Sequence, residues 1–451
     1  MSRVFLLSSN RCTDPYPVYP LGMAVVSGAL LAAGHQVRQY DCLVQGSGRE
    51  LQAAIAGFGP ELLSISLRNI DDVNSLAGEQ GWYLRQVKDL VAAIRTVYTG
   101  PIVVGGPGLT LMPEEIADFL DIDYAIVGEG ERLLPELAAT LAAGGSSPRI
   151  IRSTRPLAGH EFATPLFDPE LVPYYLQETG ILNLQTKRGC AYRCDYCSYP
   201  LLEGGQFRTR EPRQVVAELL RIKREQEVGR VFFTDSIFND PQGNYLELAE
   251  EMLRRGVDLQ WAAFFRPQGL GRQELALLKR AGLFALELGT DAASDRTLAG
   301  LNKHLTFAEV LEVNRACLAE RLPAAHFVIF GGPEEDESTL AEGLDNLDQL
   351  DLSVVFAFSG VRIHPGTPML RRAVAEGVIS ADTPLLEPVY YFSPRIDRER
   401  MEASIEERFA GRPNRIFPPS EALKRITIMK NFGFRGLLWD QLVRFPRQKE
   451  G

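Results

Sequence analysis

Short apolar runs alternate with amphipathic helical stretches twice along this chain, and that alternation restricts it to α/β architecture. In the first 143 residues, "VFLLSS" (4–9), "HQVRQYD" (35–41), "LLSISL" (62–67), "IVVGG" (102–106) and "YAIVGEGE" (124–131) have the length and β-branched content of strands. Between them lie "GMAVVSGALLAAG", "ELQAAIAGF", "LRQVKDLVAAIRTVY" and "PEEIADFL", all with helical apolar spacing, and "RLLPELAATLAAG" closes the unit. Runs apolar along their whole length are those of strands covered on both faces. The expectation is a doubly wound parallel sheet of five strands. Ligands of such sheets sit outside the carboxyl ends of the strands. Those ends carry "SSNRCTD", "SLRNIDD", "GGPG" and "GEGE". Glycine there lets a backbone approach a large ligand closely, or simply makes a tight strand-to-helix turn.

The second alternation spans residues 180–369. Strand candidates are 181–186, "RVFFTDS" (230–236), "LQWAAFF" (259–265), "FALELGT" (284–290), "AAHFVIFGG" (324–332) and "VVFAFSGVRI" (354–363), with amphipathic helices between them. Six β/α units predict a partial TIM-type barrel, (β/α)6, with its chemistry at the carboxyl ends of the strands. Residues 144–179, punctuated by Pro148, Pro156, Pro165, Pro169 and Pro173, read as a connector. Residues 370–451 read as a mostly helical cap over the barrel mouth, with Tyr390, Tyr391, Phe392, Arg395, Phe417 and Trp439 as candidates for a substrate wall or for core packing.

Composition narrows the function. A net charge of −10 with scattered Lys and Arg argues against a nucleic-acid binder. No apolar run approaches the roughly 18 residues of a membrane span, and the N-terminus lacks a signal-peptide pattern. Six cysteines, three of them clustered, fit a reducing cytoplasm better than a disulfide scaffold.

That cluster is "KRGCAYRCDYCSYP", where Cys190, Cys194 and Cys197 follow the first barrel strand as Cys-x3-Cys-x2-Cys. Structural zinc wants four ligands, and neither His nor a fourth Cys follows at finger spacing. An electron-transfer cluster would need a fourth Cys, and Cys12, Cys42 and Cys317 lack the neighbouring spacing. Three thiolates hold three irons of a [4Fe–4S] cluster and leave the fourth iron open.

With Tyr196 before the last cysteine, the segment resembles the radical S-adenosylmethionine (SAM) superfamily, whose signature is Cys-x3-Cys-x-aromatic-Cys. The resemblance implies that SAM chelates the open iron and is cleaved to a 5′-deoxyadenosyl radical that abstracts a substrate hydrogen. It implies an external electron donor of flavodoxin or ferredoxin type. It also makes Asp235 and Asn239 (second strand end), Glu287 and Asp291 (fourth) and the backbone of Gly331 and Gly332 (fifth) candidate cofactor contacts. "FRTR" (207–210) is a possible cation for a carboxylate.

The domain in front, through "YPVYPLGMAVVSGALLAAGHQVRQYD", "LLSISL", "VVGGPG" and "IVGEGE", is similar to the cobalamin-binding domain that precedes such barrels. Its candidate contacts are Ser64, Ser66, Arg68, Asn69, Gly105, Gly106, Gly128, Glu129 and Gly130. The first loop, "SNRCTDPYPVYP", contains no His, so cobalamin is expected without a histidine lower ligand, and His35 is read as a turn or surface residue. The long polar stretch 68–84 is either a mobile loop or reaches the cleft, where Asp71, Asp72 and Asn74 would join Arg68 and Asn69. The resemblance points to methylation of an unactivated carbon of a small molecule. Cyclisation, oxidation or rearrangement on the same cofactors, or a first domain that has lost cobalamin, are the alternatives.

Overall fold

A computed structural model describes residues 1–13 and 15–445; Asp14, in the first-strand loop considered above, lies outside them. The first sheet contains β1 (Arg3–Ser8), β2 (Gln36–Asp41), β3 (Leu62–Ser66), β4 (Ile102–Gly105), β5 (Tyr124–Val127) and β6 (Ile150–Arg152). They are all parallel, in the order β2-β1-β3-β4-β5-β6. Successive side chains serve opposite faces. Val4, Leu6, Leu62 and Val103 face one core, with the helices Leu21–Ala32 and Gly130–Ala142. Phe5, Leu7, Leu63 and Val104 face another, with the helices Arg49–Phe58 and Tyr83–Arg95. The sheet has one strand more than expected. β6 is three residues long, too short to show a period, and takes its register from β5.

The connector is part of the core. Phe167 and Tyr175 pack against Tyr19, tilted and edge-on, at ring separations of 5.2 and 5.1 Å, and the Tyr175 hydroxyl donates to buried Asp41 at 2.5 Å. A Cβ on Gly28 would lie 2.0 Å from the carbonyl oxygen of Thr164, so this glycine lets the connector cross its helix. Leu171 and Val172 join the first domain's core to Leu182 and Leu184 of the barrel in one apolar cluster.

The barrel begins with β7 (Ile181–Leu184), followed by the two-residue hairpin strands β8 (Lys187–Arg188) and β9 (Arg208–Thr209) that bracket the cysteines. Then come β10 (Arg230–Phe233), β11 (Gln260–Phe265), β12 (Leu283–Asp291), β13 (Ala324–Phe330) and β14 (Val354–Ser359). Two two-residue strands, β15 (Val361–Arg362) and β16 (Tyr390–Tyr391), pair antiparallel beyond β14. β17 (Arg415–Ile416) adds a seventh strand beside β14. The sheet order is β17-β14-β13-β12-β11-β10-β7, parallel throughout. Inside, Ala262, Ala285 and Ala325 leave room for two large rings that share their cluster, Tyr16 from the first domain and Trp439 from the C-terminal segment. Thus Trp439 plugs the barrel core, as does Phe417 the neighbouring one, and neither is a cleft wall. Among the described residues, no helix is long and apolar enough to cross a membrane.

The stretch 68–84 is fixed across the seam between the two units. Asp71 pairs with Arg362 of β15 at 2.9 Å, both side chains being 1% exposed. Ser75 donates to the carbonyl of Ser359 at 2.5 Å, and the Trp82 indole to that of Leu386 at 3.0 Å. Arg362 also donates to the carbonyls of Ile363, Val389 and Leu385, which satisfies the remaining face of its guanidinium. A pair this deep costs far more to break than to replace. Arg362→Met, which strands Asp71, is expected to lower unfolding stability in urea by roughly 3–5 kcal/mol. Adding Asp71→Leu should recover most of the loss. A single-variant cost under about 1 kcal/mol would mean that the pair behaves as a solvated surface bridge.

Candidate functional site

The cysteine loop is built on a buried charge network. Asp235, just past β10, is fully buried, and both its oxygens accept from the strand that leads to the cysteines. Thr186 N donates at 2.7 Å, Lys187 N at 3.2 Å, and the Thr186 hydroxyl donates as well. Burial pushes this carboxyl above its ordinary value, while the Lys187 ammonium, 3.9 Å away, and the Thr186 bonds pull it down. Lys187 Nζ itself donates to Asp240 at 2.9 Å and to the Phe238 carbonyl at 2.6 Å. Gly189 then turns the chain at φ +85°, where a Cβ would lie 2.0 Å from the carbonyl oxygen of Gln206. Asn239 pins the next turn, accepting from Arg266 N and donating to the carbonyls of Arg266 and Gln268. Asp235 is thus engaged by the strand that leads to the cysteine loop, and Asn239 by the turn after β11.

Cys190, Cys194 and Cys197 are all free thiols. Burial raises each, Cys197 to about 12, while Lys303 and Arg266 act in the opposite sense on Cys190 and Cys194. Lys303 pairs with Asp291, and the Tyr196 hydroxyl donates to that same carboxylate. Arg266 lies 4.2 Å over the Tyr192 ring. Among the described residues, no three His, Cys, Asp or Glu side chains converge as a single ion would require. Three thiols without a fourth ligand, next to two cations, suit an iron–sulfur cluster, whose thiolates each bind a different iron.

The other barrel candidates face packing. Glu287 is buried in the barrel core, where the Trp439 indole donates to it at 3.0 Å, and burial lifts its carboxyl to about 7. Gly331, at φ +81°, leaves space for the Phe392 ring, which a Cβ would approach to 2.9 Å, and Gly332 lies against Val361 and Leu301. Arg208 and Arg210 of "FRTR" are paired with Glu129 and Glu218.

A cleft of about 580 Å³ opens where the two strand-end faces meet. All nine first-domain candidates line it: Ser64, Ser66, Arg68, Asn69, Gly105, Gly106, Gly128, Glu129 and Gly130. Arg68 is exposed there, without a hydrogen bond or ion pair to the described residues. Gly106 has a further reason for its identity, since at φ +105° its Cβ would lie 2.7 Å from the Leu67 carbonyl oxygen. From the barrel come Gln185, Arg188, Ser198, Tyr199, Leu202 and His364. Ser198 directly follows Cys197, so the cysteine loop borders the same space.

His35 does not reach the cleft. It is buried rather than superficial, accepting from Ser2 N at 3.3 Å, because β1 and β2 start side by side. His364 is the one histidine among the cleft's lining residues. It stands on the barrel side, its Nδ1 has no partner among the described residues, and burial lowers it to about 4, so that it is neutral. Sequence reasoning missed Arg188, Lys303 and His364. Arg188 stands in the motif itself; the other two lie in turns with no periodic signal.

Residues 184–347 match the model of the Radical SAM superfamily, and residues 11–138 that of the B12 binding domain. Tryptophan 2-C-methyltransferase of Streptomyces laurentii is 24% identical over 440 residues, covering 80% of this chain and 73% of the relative. The structure of the radical SAM methyltransferase TsrM from Kitasatospora setae, with cobalamin and a [4Fe-4S] cluster bound, superposes with a TM-score of 0.83 at 22% identity. It covers 98% of this chain and 97% of that one. The cobalamin-dependent SAM radical enzyme OxsB, with aqua-cobalamin and SAM bound, superposes at 0.68 and 16% identity, covering 96% and 71%. These likenesses confirm the fold, a parallel sheet followed by a parallel barrel.

Glu287 supplies a pH test of this geometry. The unfolded chain releases this proton near the ordinary carboxylate value and the folded chain near 7. The folded state therefore binds the extra proton in between, and stability falls as pH rises from about 4.5 to 7. Glu287→Gln is expected to stabilise the protein by roughly 2–3 kcal/mol at pH 8 and to confer little of that gain at pH 4.5. Urea unfolding at the two pH values measures the difference. A gain independent of pH would place the Glu287 carboxyl in contact with water.

Proposed function

We propose that this chain, with a Radical SAM match over its barrel and a B12-binding match in front of it, is a radical SAM enzyme that methylates a carbon of a small molecule held in the cleft between them. The observation that carries this reading is the cleft itself. One wall is made of the first domain, with its strand-end loops and the helices beside them, and the other adjoins the cysteine loop. Cys190, Cys194 and Cys197 would hold a [4Fe–4S] cluster, with SAM at its open iron. Cobalamin would lie on the loops that carry Ser64, Arg68, Gly105 and Gly128. When bound, these groups supply the electron, the methyl group and its carrier.

The chain's own residues position and exclude. Asp235 and Lys187 fix the start of the cysteine loop. Lys303 and Arg266 offset negative charge on Cys190 and Cys194. The Asp71–Arg362 pair and the Trp82–Leu386 bond hold the 68–84 loop shut against the barrel, keeping water from that edge of the cleft. Arg68 offers a cation to the ligand space, and His364 a neutral imidazole for a substrate N–H or O–H group. Among the described residues no first-domain histidine lines the cleft, and cobalamin held there would lack a histidine lower ligand from that domain. The electron would come from an external carrier of flavodoxin or ferredoxin type, and free cysteines throughout suit a reducing cytoplasm.

The test uses anaerobically assembled protein carrying cluster and corrinoid, given methyl-labelled SAM and a panel of small acceptors that starts with tryptophan. Corrinoid should stay with the protein through gel filtration in a one-to-one ratio, and label should pass from SAM to an acceptor carbon. Fully loaded protein that never removes the methyl group from SAM would contradict the proposal.

A further inference from the structure

Arg188 stands two residues before Cys190, yet its side chain is bound to the first domain. Its guanidinium lies 3.0 Å from Glu129 and 2.6 Å from Glu131, and Nε donates to Gln185 at 2.8 Å. Its flat face rests 4.2 Å over the Phe162 ring of the connector. Across the β8–β9 hairpin, Arg208 shares Glu129 at 2.8 Å. Side-chain exposure is 10% for Arg188, 11% for Glu129, 6% for Glu131 and 13% for Arg208, so two cations and two anions balance out of water. Glu129 and Glu131 flank Gly130 where the helix Gly130–Ala142 begins, in the "GEGE" loop that lines the cleft.

The arrangement joins one loop from each cofactor site through charges that leave each other only at high cost. Movement of the "GEGE" loop toward its ligand must carry Arg188 with it, and Arg188 is on the strand from which Cys190 hangs. We propose that Arg188 is a positioning residue that couples the two sites, so that cluster assembly on the cysteine loop and corrinoid binding on the first domain strengthen each other. Such coupling is reciprocal by linkage. The inference rests on the functional reading above and adds to it a thermodynamic connection that neither site requires by itself.

The full chain, as apoprotein and after anaerobic cluster reconstitution, is titrated with hydroxocobalamin, and the dissociation constant is read in each form. Wild type is expected to bind about tenfold more tightly with the cluster present. Arg188→Met should shrink that ratio to within about twofold while iron content stays at the wild-type level, and Arg188→Lys should restore part of it. Glu131→Gln attacks the same contact from the other side. It should narrow the ratio even if the Met variant fails to fold, and combined with Arg188→Lys it should add little. Equal affinities of the two wild-type forms, or a Glu131→Gln or Arg188→Met protein that keeps the full ratio, would overturn the coupling and leave the functional reading intact. No hydroxocobalamin binding in either form would overturn both.

Discussion

The protein depends on charge buried at the seam between its two units. Arg362 of β15 meets Asp71 of the first domain at one edge of the cleft, and Arg188 and Arg208 of the cysteine hairpin meet Glu129 and Glu131 at another. Apolar packing also crosses the seam, through Phe167, Tyr175 and Leu182, but such contact is non-directional and tolerates sliding. Ion pairs with little exposure do not, because a displaced partner leaves a charge without water or counter-ion. The pairs thus set how the strand ends of the sheet face those of the barrel, and with that the shape of the cleft.

A second layer of buried charge sits under the cysteine loop. Asp235, Lys187 and Asp240 have little or no contact with solvent, and they hold the chain by backbone and side-chain bonds just before Cys190. With the turn at Gly189, which only a residue lacking Cβ fits, they fix the departure of the loop from the barrel. The loop is then tied through Tyr196 to Asp291 at the end of β12, which also pairs with Lys303 beyond the helix Asp295–Gly300. A ligand set of thiols is thereby held beside cations before any cluster binds.

Much of this was legible in the sequence, for a physical reason. A strand covered on both faces must be apolar along its length, so "VFLLS" and "IVVG" declare themselves, and the loops at their ends follow from topology. That is why the nine first-domain candidates, from Ser64 to Gly130, all line the cleft. The barrel candidates were harder. Asp235 and Asn239 follow the end of β10 as expected, whereas Glu287 lies in the middle of β12 rather than at its end, and a sequence does not reveal which way a side chain points when its partners are Thr186, Arg266 or Trp439, far away along the chain. The Trp439 indole reaches Glu287 across 152 positions, and the Arg362 guanidinium reaches Asp71 across 291. No periodicity or spacing encodes such contacts. Short elements such as β6 and β17 escape for the same reason, since their existence depends on a neighbour's edge.

The central claim is that one cleft brings a corrinoid on the first domain close to a cluster on the cysteine loop. Electron paramagnetic resonance of protein carrying both cob(II)alamin and the reduced cluster tests it most directly, with singly loaded samples as references. The account predicts a spectrum broadened or split by interaction between the two spins, and therefore different from the sum of the references. A spectrum equal to that sum, with both centres at full occupancy, would contradict it.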